Sequence, residues 1–215
     1  MIYFLGTSHA AMHLKQGAVK RGLEVTEDIG EAQVIFVSED TPTDDYGRRD
    51  LNPIMKLISI AAMTRAQVVL TSQVPPGFTR SLGMPDIYYQ AETLRIKDAE
   101  ERAYCPDYIA VGGPLGVKRA YAEYLVAFHC PVIRMTWEEA EFSKIAVNMF
   151  LAAQVDRTNL LAKAAEKAGA KWENVAKALK FDKRIGPHAY LTPGRWENSK
   201  HLLRDWVTLE ALRTS

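Results

Sequence analysis

Six short apolar runs, each closed by turn residues, constrain this chain more than any other feature. They are IYFL at 2–5, VIFVS at 34–38, QVVLTS at 67–72, IYYQ at 87–90, YIAVGG at 108–113 and PVIRM at 131–135. Continuous apolar runs of this length suit strands buried on both faces. Helix patterns fall between them near 9–21, 50–63, 91–101 and 116–127. The alternation predicts an α/β domain over 1–134, with a parallel sheet and helices on both sides. Ligands of such sheets bind beyond the C-terminal ends of the strands.

The pattern changes at Thr136. Thr136 and Glu139 form a T-x-x-E capping box, which satisfies free N–H groups at a helix start. Phe142, Ile145, Met149 and Ala153 recur at helical spacing and predict one apolar face. The helix can run to Ala168, because Gly169 is its first stop signal. Two more helices are expected near 172–180 and 199–213. Residues 135–215 therefore read as a helical domain, with the long helix as its spine or as a dimer seam.

Composition excludes several functions. The 215 residues carry a net charge of +1, so no strong field favours nucleic acid or an anionic membrane. No apolar stretch approaches the length of a membrane span. MIYFLG lacks a basic flank and reads as a buried strand rather than a signal peptide. The two cysteines, Cys105 and Cys130, have no metal-type spacing and fit a reducing cytoplasm. His9 and His13 are four apart on a helix, a spacing that can share a metal ion, but no third ligand is evident and no metal is expected.

Gly6-Thr7-Ser8-His9-Ala10-Ala11 lies between the first strand and the first helix. That is the place for a G-x-G-x-x-G loop, where glycines let a diphosphate approach a helix N-terminus. Only the first glycine is present. Ala11 is small enough for close helix packing, and Ser8 offers a hydroxyl. A plain strand-to-helix turn explains the segment equally well. Glu27 and Asp28 are candidates for the acid that would bind the adenine ribose, by proximity alone.

Several motifs, in order, resemble the nucleotide-sugar dehydrogenases, the UDP-glucose/GDP-mannose dehydrogenase family. VIFVSEDTPTDDYGRRDL resembles the family's strand, TPT loop and D-L helix start, with Thr41, Pro42 and Thr43 matching. VVLTSQVPPGFT resembles S-T-V-P-P-G-T, with Ser72 kept and Gln73 replacing a threonine. QAETLRIKDA resembles N-P-E-F-L-x-E-G-x-A, with Glu92, Leu94 and Ala99 matching. Lys144 and Asn148 fit K-x-x-x-N, and Arg184-Ile185-Gly186 fits R-I-G. Against L-x-P-G-x-G-[FY]-G-G-S-C-[FL]-x-K-D the chain keeps Leu191, Pro193, Gly194 and Asp205, and Arg204 replaces lysine. The three glycines become Trp196, Asn198 and Ser199, and the cysteine becomes His201, or Lys200 after a one-residue shift.

The resemblance implies a Rossmann-like sheet that binds NAD, with Gly6, Ser8, His9, Thr41, Ser72 and Gln73 at the cofactor. The second-strand region of the family's sheet reads as deleted. Glu92 would be an acid/base, Lys144 and Asn148 would hold the substrate and an oxyanion, and His201 and Asp205 complete the catalytic set. Leu94 and Arg184 would meet the substrate, a small molecule of nucleotide-sugar type. The simpler alternatives are a helix-start glutamate, a solvated polar strip on the long helix and a surface arginine. The family's thiolate captures an aldehyde for a second oxidation; histidine cannot follow that route. The expected activity is thus a single NAD-dependent alcohol oxidation. The alternatives are an inactive family member acting as a binding or scaffold protein, or an enzyme whose missing C-terminal domain comes from another chain. The family dimerises through the long helix, which implies a homodimer here through the helix starting at Thr136.

Overall fold

The computed structural model describes residues 1–214, apart from the side chain of Ile96. Strands β1 (Ile2–Leu5), β2 (Val34–Val37), β3 (Gln67–Leu70), β4 (Tyr88–Gln90), β5 (Ile109–Gly112) and β6 (Val132–Met135) form one sheet in the order β1-β2-β3-β4-β5-β6. The helices are α1 (His9–Lys20), α2 (Asn52–Ala62), α3 (Phe78–Ser81), α4 (Ala99–Tyr104), α5 (Arg119–Ala127), α6 (Trp137–Lys167), α7 (Trp172–Phe181) and α8 (Lys200–Thr214). Each of the six apolar runs contains a strand. The fold is a Rossmann-like, mostly parallel α/β sheet followed by helices.

The chain divides into two compact units. The first holds Met1–Pro42 and Arg49–Lys144; the second holds Thr43–Arg48 and Ile145–Ser215. The division falls inside α6, ten residues beyond the boundary at 134.

In the first unit, strand alternation sorts the core. Ile35 and Val37 point to one face with Ile54 and Ile58 of α2 and Ala140 of α6. Val34 and Phe36 point to the other, with Ala18 of α1 and Tyr121, Tyr124 and Leu125 of α5. Phe36 is fully buried, with ring centroids 5.0 Å from Phe4 and 4.5 Å from Tyr124. A Cβ on Gly17 would lie 2.2 Å from the Ala103 carbonyl oxygen. The bare glycine is what lets α1 approach α4 so closely.

Two departures from a fully parallel sheet matter. First, β4 and β5 are antiparallel, while the other neighbouring pairs are parallel. A parallel return needs a crossover along the sheet. Here the connection is a loop, a 3-10 turn at Ile96–Asp98 and the six-residue α4, so β5 starts where β4 stops. The helix expected over 91–101 is reduced accordingly; the Leu94 N–H turns back to the Glu92 carboxylate instead of continuing a helix. Second, β1 is the edge strand. Its outer side is met by a bridge to Val25, in which the Ile2 N–H donates to the Glu24 carbonyl at 2.8 Å and the Thr26 N–H donates to the Ile2 carbonyl at 2.9 Å. That bridge stands where a further strand would continue the sheet.

In α6 the expected capping box forms. The Thr136 N–H donates to Glu139 at 2.7 Å, and the Glu139 N–H donates to the Thr136 hydroxyl at 3.3 Å. The expected apolar face does not hold as one surface. Ile145 is buried, but Phe142 and Ala153 are exposed. Buried positions on α6 are Ala140 and Glu141 in the first unit, and Ile145, Ala152 and Thr158 in the second. Phe150 (72% exposed), Leu160 and Leu161 face outward. The helix thus carries apolar side chains on two sides, and hydropathy alone cannot say which side the fold covers.

In the second unit, the segment after α7 is tied to α6. Gln154 accepts from the Tyr190 N–H at 2.8 Å, and Thr158 donates to the Tyr190 carbonyl at 2.8 Å. The Asn159 side chain makes paired bonds with Gly194, at 2.8 and 2.9 Å. A Cβ on Gly47 would fall 2.7 Å from a Val207 methyl, which is how the 43–48 loop seats against α8.

Candidate functional site

Loops leaving the C-terminal ends of β1, β2 and β3 meet through polar side chains. Ser8 is the N-cap of α1 and is buried; its hydroxyl accepts from the Ala11 N–H at 3.1 Å and donates to the Ser38 carbonyl at 3.0 Å. Its hydrogen is therefore committed inward rather than offered to a phosphate. Gly6 has φ 131°, and a Cβ there would sit 1.9 Å from the Ser38 carbonyl oxygen. Glycine is thus required at position 6 by the contact between the β1 and β2 loops, whatever ligand the loop takes.

Glu39, which the sequence reading did not single out, is the hub. Its Oε2 accepts from the Thr7 N–H at 2.9 Å and from the Thr7 hydroxyl at 3.1 Å. Its Oε1 accepts from the Asp40 N–H at 3.0 Å, and its own N–H donates to the Ser72 hydroxyl at 2.7 Å. Partial burial pulls the Glu39 carboxyl upward, but the hydrogen bonds from Thr7 and Asp40 outweigh it and hold the group below the usual glutamate range. An acid directly after a buried strand was the available signal.

Of the residues expected at a cofactor, Thr41 and Ser72 are buried in the loops after β2 and β3, and Gln73 is half-buried. His9 is exposed and lies Nε2 to Nε2 at 3.0 Å from His13. The ribose-acid candidates are engaged elsewhere. Glu27 pairs with Lys15 at 2.5 Å, and the Asp28 carboxylate accepts from the Gly30 N–H at 2.8 Å.

Glu92 and Lys144 meet. The Glu92 Oε2 lies 4.0 Å from the Lys144 Nζ, with side chains 20% and 14% exposed. The other Glu92 oxygen accepts from the Leu94 N–H, which fixes the carboxylate. A half-buried ammonium beside an oriented carboxylate can polarise an oxygen and accept its proton. Glu141, also unforeseen, is fully buried. It accepts from the Gly77 N–H at 2.6 Å and the Thr79 N–H at 2.8 Å, capping the start of α3 after the VPPG loop. Burial pushes its carboxyl above the usual range despite these bonds. Its signal was a charge beside the apolar positions of a predicted helix.

In the second unit, the Asn148 side-chain amide donates to Asp205 at 2.6 Å, and Asp205 and Arg204 are buried. His201 is exposed at the start of α8, and Lys200 pairs with Asp45 at 3.1 Å. The guanidinium of Arg184 is exposed and held by Asp182 at 2.6 Å. Where the family motif has glycines, the Trp196 indole N–H donates to Asp156 at 2.8 Å, and its ring lies 5.8 Å from Trp206. That segment is filled by side chains rather than open. Among the described residues no cluster of three or more His, Cys, Asp or Glu is placed to hold a metal, and no helix is long and apolar enough to cross a membrane.

Comparison with known proteins places these features. The chain is 30% identical over 197 residues to the UDP-glucose 6-dehydrogenase of Caenorhabditis elegans, covering 76% of this chain and 40% of that protein. To the Mus musculus UDP-glucose 6-dehydrogenase it is 30% identical over 193 residues, covering 75% and 38%. It therefore spans about two fifths of the length of the curated relatives it matches. The fold is shared with a UDP-glucose dehydrogenase from the hyperthermophilic archaeon Pyrobaculum islandicum, with a TM-score of 0.78 at 23% identity over 99% of this chain and 64% of that one. It is also shared with a GDP-mannose dehydrogenase from Pseudomonas aeruginosa, with a TM-score of 0.70 at 20% identity over 90% and 59%. Residues 138–206 match the central domain of the UDP-glucose/GDP-mannose dehydrogenase family, the family to which the similar proteins and structures above also point.

Proposed function

We propose that this protein oxidises an alcohol on a small substrate of nucleotide-sugar type by one two-electron step, with NAD as the hydride acceptor. The observation that carries the reading is the half-buried Glu92–Lys144 pair, 4.0 Å apart. Glu92 takes the hydroxyl proton and Lys144 steadies the oxygen as negative charge develops on it. Asn148, expected with Lys144 at the substrate, is oriented by its hydrogen bond to Asp205. His201 offers no thiolate, so the reaction stops at the carbonyl. Residues 1–134 would form the cofactor domain, 135–215 the dimerisation domain, and the exposed Phe150 and Leu160 a homodimer seam.

The NAD reading rests on the resemblance to the family and on Thr41, Ser72 and Gln73 in the loops after β2 and β3. The loop at Gly6–Ser8, as arranged, does not fit a diphosphate, because Glu39 holds the Thr7 N–H. Hydride acceptance is the chemistry the cofactor would supply. A second reading, a catalytically inactive member that serves as a scaffold, is favoured by the Trp196 segment filling the place of the family's glycines.

The test is a panel of nucleotide sugars with NAD, followed at NADH absorbance. Turnover that falls at least about 100-fold in Glu92→Gln and Lys144→Met, without loss of folding, supports the enzyme. No turnover with any sugar, together with no NAD or NADP binding, leaves the scaffold reading.

A further inference from the structure

We propose that Glu39 is a built-in anion that occupies the diphosphate loop between β1 and α1, so that a dinucleotide enters only when the Glu39 carboxylate leaves. The proposal takes the dinucleotide reading above as its starting point and names the residue that governs entry.

Geometry carries it. A strand-to-helix loop of this kind holds a diphosphate by backbone N–H groups at the helix start. Here two donors of the loop and helix start have internal partners. The Ala11 N–H goes to the Ser8 hydroxyl at 3.1 Å, and the Thr7 N–H goes to Glu39 at 2.9 Å. The Thr7 hydroxyl adds a second bond to the same carboxylate oxygen. The carboxylate is not a loose surface group. Its second oxygen is tied to the Asp40 N–H, and its backbone N–H to Ser72 on the neighbouring loop.

The loop that would present the diphosphate is also tightly seated. A Cβ on Gly6 would overlap the Ser38 carbonyl oxygen, so the β1 and β2 loops cannot separate at that point without losing the contact. The anion is thus delivered from the adjacent loop to an N–H and a hydroxyl of the loop that leads into α1. A phosphate oxygen and the Glu39 carboxylate would compete for one N–H donor, and at this spacing two anions repel. Glu39 acts as a gate on affinity, set by charge as well as by occupancy.

The experiment is calorimetric titration of wild type, Glu39→Gln and Glu39→Ala with inorganic pyrophosphate and, separately, with NAD. Thermal unfolding of each variant checks its fold. The expected result is at least a tenfold tighter affinity for both ligands in both variants. Tighter pyrophosphate with no NAD binding in wild type or variants keeps the gate and removes the dinucleotide reading. NAD bound equally by wild type and folded variants overturns the gate and leaves the dinucleotide reading standing. Unchanged affinity for both ligands, or no binding of either, overturns the gate. If neither variant folds, pyrophosphate is titrated into wild type while the Thr7 amide NMR signal is followed. Binding that moves that signal supports the displacement; binding that leaves it unmoved, or no binding, overturns it.

Discussion

Replacing Glu141 by alanine tests how this fold holds its VPPG loop. The carboxylate is completely buried and receives two backbone N–H groups, from Gly77 at 2.6 Å and Thr79 at 2.8 Å. Gly77 sits at φ 89° as the N-cap of α3 and has no side chain of its own to cap the helix. Alanine leaves both donors without an acceptor. Hydrogen bonds to a charged group are worth roughly 1.5–3 kcal/mol each, and part of the loss is offset because a buried charge no longer needs desolvation. The expected net cost is about 3 kcal/mol, a fall in Tm of roughly 6–12 °C for a chain of this size. Glu141→Gln keeps one acceptor and should lose about half as much. Urea unfolding read by circular dichroism and by tryptophan fluorescence gives the measurement, and two probes are needed because two units can unfold separately. The pH dependence supplies a second readout. The folded-state carboxyl is raised above its unfolded value near 4.5. Its favourable contribution is therefore complete below that pH and is lost as pH rises through the raised value. Relative to Glu141→Gln, wild type should lose stability across that window. A Glu141→Ala variant within about 1 kcal/mol of wild type would refute the capping role.

Other outcomes follow from the same geometry. Phe36→Ala opens the aromatic core between Phe4 and Tyr124 and should cost about 3–5 kcal/mol in urea unfolding. Gly6→Ala places a methyl against the Ser38 carbonyl at φ 131°, and should lower stability by more than about 2 kcal/mol whether or not ligand is present. Asn159→Ala removes both bonds to Gly194 and should speed hydrogen exchange over 190–196 at least several-fold; unchanged exchange would mean that the segment is held by Thr158 and Trp196 instead. A Phe150→Glu, Leu160→Glu double variant should shift a dimer to monomer in analytical ultracentrifugation. Acid should destabilise the protein through Glu39, Asp98 and Glu138. Their carboxyls lie below the unfolded values near 3.8 and 4.5, so their contribution is present above those values and lost as pH falls through the lower folded ones. Denaturation midpoints measured across acid pH check the sign.

Much of the candidate site was legible, because its residues sit in local motifs. Glu92, Lys144, Asn148 and Asp205 lie where ordered sequence segments place them, and the structure pairs Glu92 with Lys144 and Asn148 with Asp205. Ser8 was legible as a residue but not in its orientation. A hydroxyl at a helix start reads as a donor to ligand, whereas Ser38, thirty residues away, takes its hydrogen. Glu39 and Glu141 were missed for the same reason. Each is defined by backbone N–H groups on a different loop, and nothing in the flanking sequence names that loop.

The strands, the capped start of the long helix and the family resemblance were readable from the residues alone. Each of these rests on contacts within a few residues, or on a linear order of motifs. The direction of β5 against β4, the bridge at Val25 beside β1 and the covered side of α6 became visible in the folded chain. So did the carboxylate already held by the loop after β1. These depend on where distant segments meet, and hydropathy periods carry no record of the partner.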